Sequence, residues 1–363
     1  MEDKLRNIIA SIGPLDADAV EKSARRQDSL AKPPGSLGKL ESLSIQIAGI
    51  TGRVCNKIEK RRVIVLAADN GVYEEGVSSS PQSVTLAQTI NLTRGLTGCA
   101  VLARHFGSEL QVVDVGVNAE VRCEAVLDRK IAFGTKNLYK ESAMTREQAL
   151  KAILTGVELA RQAKADGVSI VGVGEMGICN TTTSSAVLAS LLRLPALAVT
   201  GRGGGITDSM FEKKKTVIDG AIASLRPDPE DPVDVLSKVG GFDLCAMCGV
   251  FLGCAEQRIP AVVDGLISIT AALCAVRLCG NVKGYLILSH ESFEKGYAVA
   301  AGELGLSSLF LLDMRLGEGS GCPLAFEVAA AACTVMRDMA TFAEAEINDD
   351  YLEEIRGKDC FTA

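Results

Sequence analysis

Apolar positions along this chain follow two rhythms, and the change between them is sharpest from Gly167 to Leu192. Val168, Ile170, Val171 and Val173 form a β-branched run expected of a parallel strand buried on both faces, and Ala186 to Leu192 then reads as a helix. Between them Gly172, Gly174 and Gly177 permit a tight bend with exposed amides, and Asn180 to Thr183 offer oxygens suited to an N-cap. Unpaired amides and the positive end of a helix dipole would face whatever binds there, so the turn is a candidate anion site. Glu175 lies in the same turn, where it would repel a phosphate unless aimed at a sugar hydroxyl or a proton. A solvated Glu in an ordinary strand-to-helix connection is the plainer alternative.

The same alternation runs through the chain. The N-terminal stretch reads as helical to Lys32, Pro33 and Pro34 break it, and Ser36 is placed to cap a new helix to about Gly49. A strand is predicted at Val63–Ala67, a helix at Val84–His105 carrying Gln88, and a strand at Leu110–Val117. A polar segment with little periodicity, Asn118–Glu141, precedes a helix at Arg146–Asp166. After the central strand and helix come a predicted strand at Ala196–Thr200, the loop GRGGGITD and a helix through Lys213–Leu225. RPDPEDPVD is a proline- and acid-rich connection. Strands at Ala261–Val263 and Tyr285–Ser289 flank a helix at Ile267–Leu278, and Phe310–Leu312 reads as a short last strand. Such regular alternation predicts βαβ units: an α/β fold with a doubly wound, mainly parallel sheet and helices on both faces.

Ligands on such sheets bind beyond the carboxyl ends of the strands. Nearly every predicted strand here exits into glycine beside an ionisable or polar group: Asp69-Asn70-Gly71, Gly174-Glu175, Gly201-Arg202-Gly203, Asp264-Gly265 and Ser289-His290, with Gly317-Glu318-Gly319 later. Together they predict a cleft for a charged, hydroxylated ligand. GRGGG resembles part of a dinucleotide fingerprint, but the GxGxxG spacing fails after Gly205 and no acidic ribose ligand follows another strand at the right distance.

Composition narrows the partners. With 363 residues, 47% of them apolar, and mean hydropathy +0.22, the chain can bury a core larger than one ordinary domain. Lys and Arg total 38 against 45 Asp and Glu, a net charge of −7 with no long basic block, which disfavours nucleic acid. Absent Trp and 4% aromatic content disfavour a base-stacking platform. No apolar run reaches the roughly 20 residues that span a bilayer, and the N-terminus lacks a signal-peptide core, so a cytoplasmic protein is expected. Of the 12 cysteines, Cys99, Cys254, Cys274 and Cys333 lie in apolar stretches and read as core. Cys245 and Cys248 form a lone CxxC, and with His105 and His290 the chain's 2 histidines, neither a metal nor another cofactor is expected.

The segments KPPGSLGKLE, ADNGVYEEGVSSSPQSVT, GVGEMGICNTT, TGRGGG, GGFDLCAM, RIPAVVDG, SHESFEKGY and LDMRLGEGSG, taken in order, resemble the successive signatures of the nicotinate-nucleotide:dimethylbenzimidazole phosphoribosyltransferase family. The resemblance spans about Leu30 to Glu346. It implies transfer of phosphoribose from nicotinate mononucleotide to a benzimidazole nitrogen in cobamide assembly, with inversion. It also implies a homodimer whose large α/β domain, about 56–324, is joined by a small helical domain from both chain ends, about 1–55 and 325–363. By matching motif positions, Glu318 would be the general base and Glu175 would lie near the ribose and reaction centre. Ser80 and Gln88 would line the pocket for the aromatic base. Gly177, Ile178 and Cys179 would offer amides to the phosphate with Lys214 as counter-ion, and Asn180, Thr181 and Gly203 complete the substrate-binding set.

The chain departs from the family pattern at Cys179, usually glycine, at Gly204, usually Thr, at Thr207, often Asp, and at Tyr297, often His. These departures leave open a relative with an altered acceptor, such as a phenol joined through oxygen or adenine, and a heterodimer with a paralogue. A dinucleotide-dependent oxidoreductase and a non-catalytic partner subunit are the readings from other classes. The incomplete fingerprint weighs against the first and the intact LGEGSG against the second.

Overall fold

A computed structural model of the chain describes residues 1–352 and Ile355; the remainder of the predicted C-terminal segment, 353, 354 and 356–363, lies outside the described residues. Six parallel strands form one sheet: β1 (Arg61–Ala68), β2 (Glu109–Gly116), β3 (Val126–Asp128), β4 (Ile170–Met176), β5 (Ala261–Val263) and β6 (Leu286–Leu288). Their order is β3-β2-β1-β4-β5-β6. Chain direction across the sheet therefore reverses between β1 and β4, the crevice where doubly wound sheets bind ligands.

Period-two alternation divides the core into two layers. Ile64, Leu66, Val171 and Val173 face a layer built on the helices Arg146–Ala165, Asn180–Leu192, Phe242–Glu256 and Leu266–Leu278. Val63, Val65 and Ile170 face the other, with Leu43 and Ile47 of helix Lys39–Thr51 and Ala325, Phe326 and Ala329 of helix Cys322–Asp338. The two chain ends also tie to each other. Leu30 and Thr341 form an antiparallel bridge, and Arg26 Nε donates to the Met336 carbonyl at 2.7 Å.

Several elements differ from the sequence reading. Ala196–Val199 is a short helix, because β4 pairs directly with β5 and leaves no seat for a strand from this run. A short apolar run does not distinguish the two states by pattern. The predicted helix over Val84–His105 is two helices, Ser83–Thr93 and Gly98–His105, divided where Gly95 turns left-handed at φ 74 and Thr97 caps the second. Ser36 caps nothing: the helix starts at Lys39 after Gly38, and Glu41 instead accepts from the Leu37 amide and pairs with buried Lys32 at 2.7 Å. The three-residue β3 lies inside the segment read as aperiodic. Phe310–Leu312 contributes a single bridge, Phe310 to His290. Asn180 to Thr183 lie within the first turns of their helix, whose N-cap is Cys179.

Helices Arg146–Ala165 and Phe242–Glu256 approach so closely that Gly156 and Gly249 pack against opposing backbone. Helix propensity alone would favour Gly156→Ala by about 1 kcal/mol. The added methyl, however, would sit far inside contact distance of the Ala246 carbonyl oxygen and 2.7 Å from the Val250 nitrogen. Overpacking of this kind costs about 1–3 kcal/mol, so Gly156→Ala is expected to lower the denaturation midpoint. A raised midpoint in a urea titration would show that the helix pair can separate without cost.

Candidate active site

One cleft gathers all the residues given a role by the motif match. Glu175, Gly177, Ile178, Cys179, Asn180 and Thr181 form its floor at the end of β4. Ser80 and Gln88 stand on one side, Gly203 and Lys214 on another, and Glu318 on a turn that crosses above. The cleft holds about 1080 Å³, its open mouth included.

The floor follows from what terminates β4. Gly177 packs under the end of β1, where a Cβ would collide with the Ala68 carbonyl. Asn70 Nδ2 donates to the Ile178 carbonyl at 3.2 Å, and the Ile178 amide donates to Thr85 Oγ1 at 3.1 Å, so that amide is already engaged. Cys179 then adopts φ 73 and opens the helix Asn180–Leu192. Glycine takes this conformation without strain, which gives the family's usual residue its reason; here a side chain bears the strain, at a cost of order 1 kcal/mol. Burial pushes the Cys179 thiol up to about 12, so it stands neutral at the helix N-terminus.

Lys214 comes from the helix Asp208–Leu225, capped by Thr207 through the Met210 amide, a task Asp performs equally well. Its Nζ donates to Thr181 Oγ1 at 2.9 Å and to the Gly201 carbonyl at 3.2 Å. Burial lowers this amine to about 8, against the opposing pull of Glu294. Gly203, at φ 57, brings the loop within contact of Thr181, whereas Gly204 has open space and tolerates a side chain. Gln88 Oε1 accepts from Asn91 Nδ2 at 2.9 Å, which fixes the amide at the cleft wall.

Acidic groups converge opposite the cation. Asn180 Nδ2 donates to Glu175 Oε2 and, at 3.3 Å, to Asp243 Oδ2. Glu175 Oε1 accepts from the Glu318 amide at 3.4 Å. Glu318 itself, at φ 62 between left-handed Gly317 and Gly319, directs Oε2 to the Cys99 amide at 3.0 Å. Burial pushes Glu175 up to about 8, Asp264 to about 7 and Asp243 to about 6, with nearby carboxylates adding to the rise in each. In sequence Glu318 has no acidic neighbour; in space it has two, Glu175 and Asp264. Asp243 begins the helix Phe242–Glu256 and is fully buried, and only its place in the GGFDLCAM motif marks it in the sequence. Tyr297 is buried too, its hydroxyl 2.9 Å from Ser308 Oγ and its ring stacked near His290, so it serves the wall behind the cleft.

Comparison with known proteins identifies the family. A phosphoribosyltransferase family model matches residues 12–347. A nicotinate-nucleotide–dimethylbenzimidazole phosphoribosyltransferase of Clostridium perfringens is 51% identical over 357 residues, 98% of this chain and 99% of its own length. One from Ruminiclostridium cellulolyticum is 46% identical over 339 residues, 93% of this chain and 96% of its own. The crystal structure of the enzyme of that name from Thermus thermophilus matches with a TM-score of 0.87 at 38% identity, covering 92% of this chain and 99% of its own. The chain therefore belongs to the nicotinate-nucleotide:dimethylbenzimidazole phosphoribosyltransferase family.

Proposed function

We propose that this cleft transfers the phosphoribosyl group of nicotinate mononucleotide to a benzimidazole-type base, giving the α-riboside phosphate and nicotinate for the lower ligand of a cobamide. The observation that carries the reading is the arrangement of one buried cation and a helix N-terminus on one side of the cleft with a turn-borne carboxylate across from them. Phosphate bound by Lys214 and the N-terminal turn of the helix Asn180–Leu192 fixes the ribose for displacement. As the bond between the sugar carbon and the pyridinium nitrogen breaks, its electron pair neutralises the ring, so nicotinate leaves without an acid. The incoming azole loses a proton as its nitrogen bonds to that carbon, and Glu318 takes it. Burial raises Glu175 to about 8, so it starts largely protonated at neutral pH. The pyridinium nitrogen of the nucleotide favours its anion, which then faces the positive charge growing on the ribose. Ser80 and Gln88 are placed to face the base.

The same reading covers assembly and setting. Exposed Phe293, Leu311, Leu312 and Leu316 lie on neighbouring segments at the rim of the cleft, which supports a homodimer. The tie between Leu30 and Thr341 supports a small unit drawn from both chain ends. The described cysteines are all free, which suits a reducing cytoplasm. Among the described residues no helix is long and apolar enough to cross a membrane.

Glu318→Gln is expected to bind both substrates and lose about 10²–10⁴-fold in turnover on dimethylbenzimidazole, since the amide keeps the carboxylate's shape but accepts no proton. An acceptor already partly deprotonated should lose less. Near-normal turnover under saturating substrates would move the base elsewhere, with Glu175 the next residue to test.

Lys214 gives a pH signature. Its ammonium form, the one that pairs with phosphate, is lost as pH rises through about 8. The Michaelis constant for nicotinate mononucleotide should therefore climb above that pH, by up to about tenfold per unit. Lys214→Arg, charged to beyond about pH 12, should flatten the rise. An identical climb in both proteins would assign the titration to another group.

A further inference from the structure

We infer that Asp264 is a positioning residue for Glu318, holding the turn that carries the base through two backbone amides. The inference rests on the reading of Glu318 as base. Asp264 follows β5 and is 2% exposed. Its Oδ2 accepts from the Gly319 amide at 3.0 Å and its Oδ1 from the Gly321 amide at 2.7 Å, the residues immediately and three places after Glu318. Among the described residues no Lys or Arg pairs with it. The facing group is His290, whose Nδ1 lies 3.8 Å from Oδ1 and 3.1 Å from Ser289 Oγ. Burial lowers His290 to about 4, so at neutral pH it brings no positive charge. Burial raises Asp264 to about 7, and the N–H donors of the turn oppose that rise and favour its carboxylate form.

Burying a carboxylate without a cation is expensive, and a fold that needed only a packed turn would gain more from an apolar side chain. What the carboxylate supplies is a pair of strong acceptors in fixed geometry. The turn needs them because Gly317, Glu318 and Gly319 are consecutively left-handed at φ 85, 62 and 85, a conformation that a glutamate leaves unless it is held. Asp264 is itself held from beneath. Its amide donates to Ser268 Oγ at 3.1 Å, and that hydroxyl donates to the Val173 carbonyl of β4 at 2.9 Å. The base is in this way referenced to the same strand that ends in the phosphate-side floor. Releasing the clamp would shift Glu318 relative to the ribose, and a displacement of about 1 Å at a reacting group can cost about 10²-fold.

The test is a double-mutant cycle in turnover number. Asp264→Asn retains one acceptor and sets an NH2 against the other amide. Alone it should lower turnover about 10- to 100-fold while the Michaelis constant for nicotinate mononucleotide changes less than about threefold. In the Glu318→Gln background it should cost no more than about twofold further, since a clamp acts only through the base it holds. Asp264→Ser, which keeps one oxygen, repeats the cycle, with rates normalised to nucleotide-binding sites counted by equilibrium titration. A full further loss in the Glu318→Gln background would leave the base in place and overturn the positioning role alone. Undiminished turnover in Glu318→Gln would remove the base, and this role with it. Loss of nucleotide binding in both Asp264 variants would make Asp264 a folding residue and equally overturn the inference.

Discussion

The contact on which the site depends is backbone against backbone: the Gly317–Gly321 turn lies directly on Gly174 of β4. A Cβ on Gly174 would meet the Glu318 carbonyl oxygen at 2.5 Å, and one on Gly172, two residues earlier on the same face, would meet Cys322 at 2.5 Å. A Cβ on Gly319 would in turn meet Val63 of β1 at 2.7 Å. Side chains are excluded from this stretch of the sheet so that a distant segment can be laid across the central crevice. The glycines of GVGEMG thus serve two ends at once, bending the chain toward the phosphate side and leaving a bed for the base-bearing turn.

That bed is acidic, and its charge sets what it accepts. Glu175, Asp243 and Asp264 all resist ionisation because they are buried and their neighbours are carboxylates. A ligand with no positive centre to set over them would leave that repulsion unrelieved. A ligand carrying a fixed positive charge over the acids and a negative one over Lys214 relieves both, and a pyridinium nucleotide monophosphate has that polarity. The incomplete glycine fingerprint fits the same account. The strand order is that of dinucleotide-binding sheets, but the turn after β4 sets one cation, Lys214, against the start of one helix, an arrangement that suits the single phosphate proposed for it rather than a pyrophosphate.

The sequence makes legible what local chemistry decides. β1, β2 and β4 are long apolar runs, and each appears within a few residues of its predicted span. Glu175 and Glu318 stand out because glycines flank them, and the cleft at the strand ends follows from the alternation of elements. What stays illegible is decided by packing partners far along the chain. Ala196–Val199 reads equally as strand or helix until the adjacency of β4 and β5 removes the strand's place. Asn180 looks like a cap, yet its amide is drawn to Glu175 and Asp243. Asp243 carries no local mark as an ionisable group of the site, since it opens a helix whose other residues are almost wholly buried. Charge states are least legible of all, because desolvation comes from the assembled tertiary structure.

Chain order explains why Glu318, the proposed base, arrives last. Glu318 leaves the edge of the sheet after β6, crosses the crevice and enters helix Cys322–Asp338, which packs on the face opposite the helix that carries the phosphate-side N-terminus. The two halves of the chemistry therefore belong to different layers of the fold and meet above β4. A shift of either layer against the sheet changes the distance between base and phosphate, while the substrate's length demands that it stay constant. The Gly174 bed and the Asp264 clamp both fix the upper turn to β4 rather than to its own helix, and this makes one strand the common reference for both reacting ends.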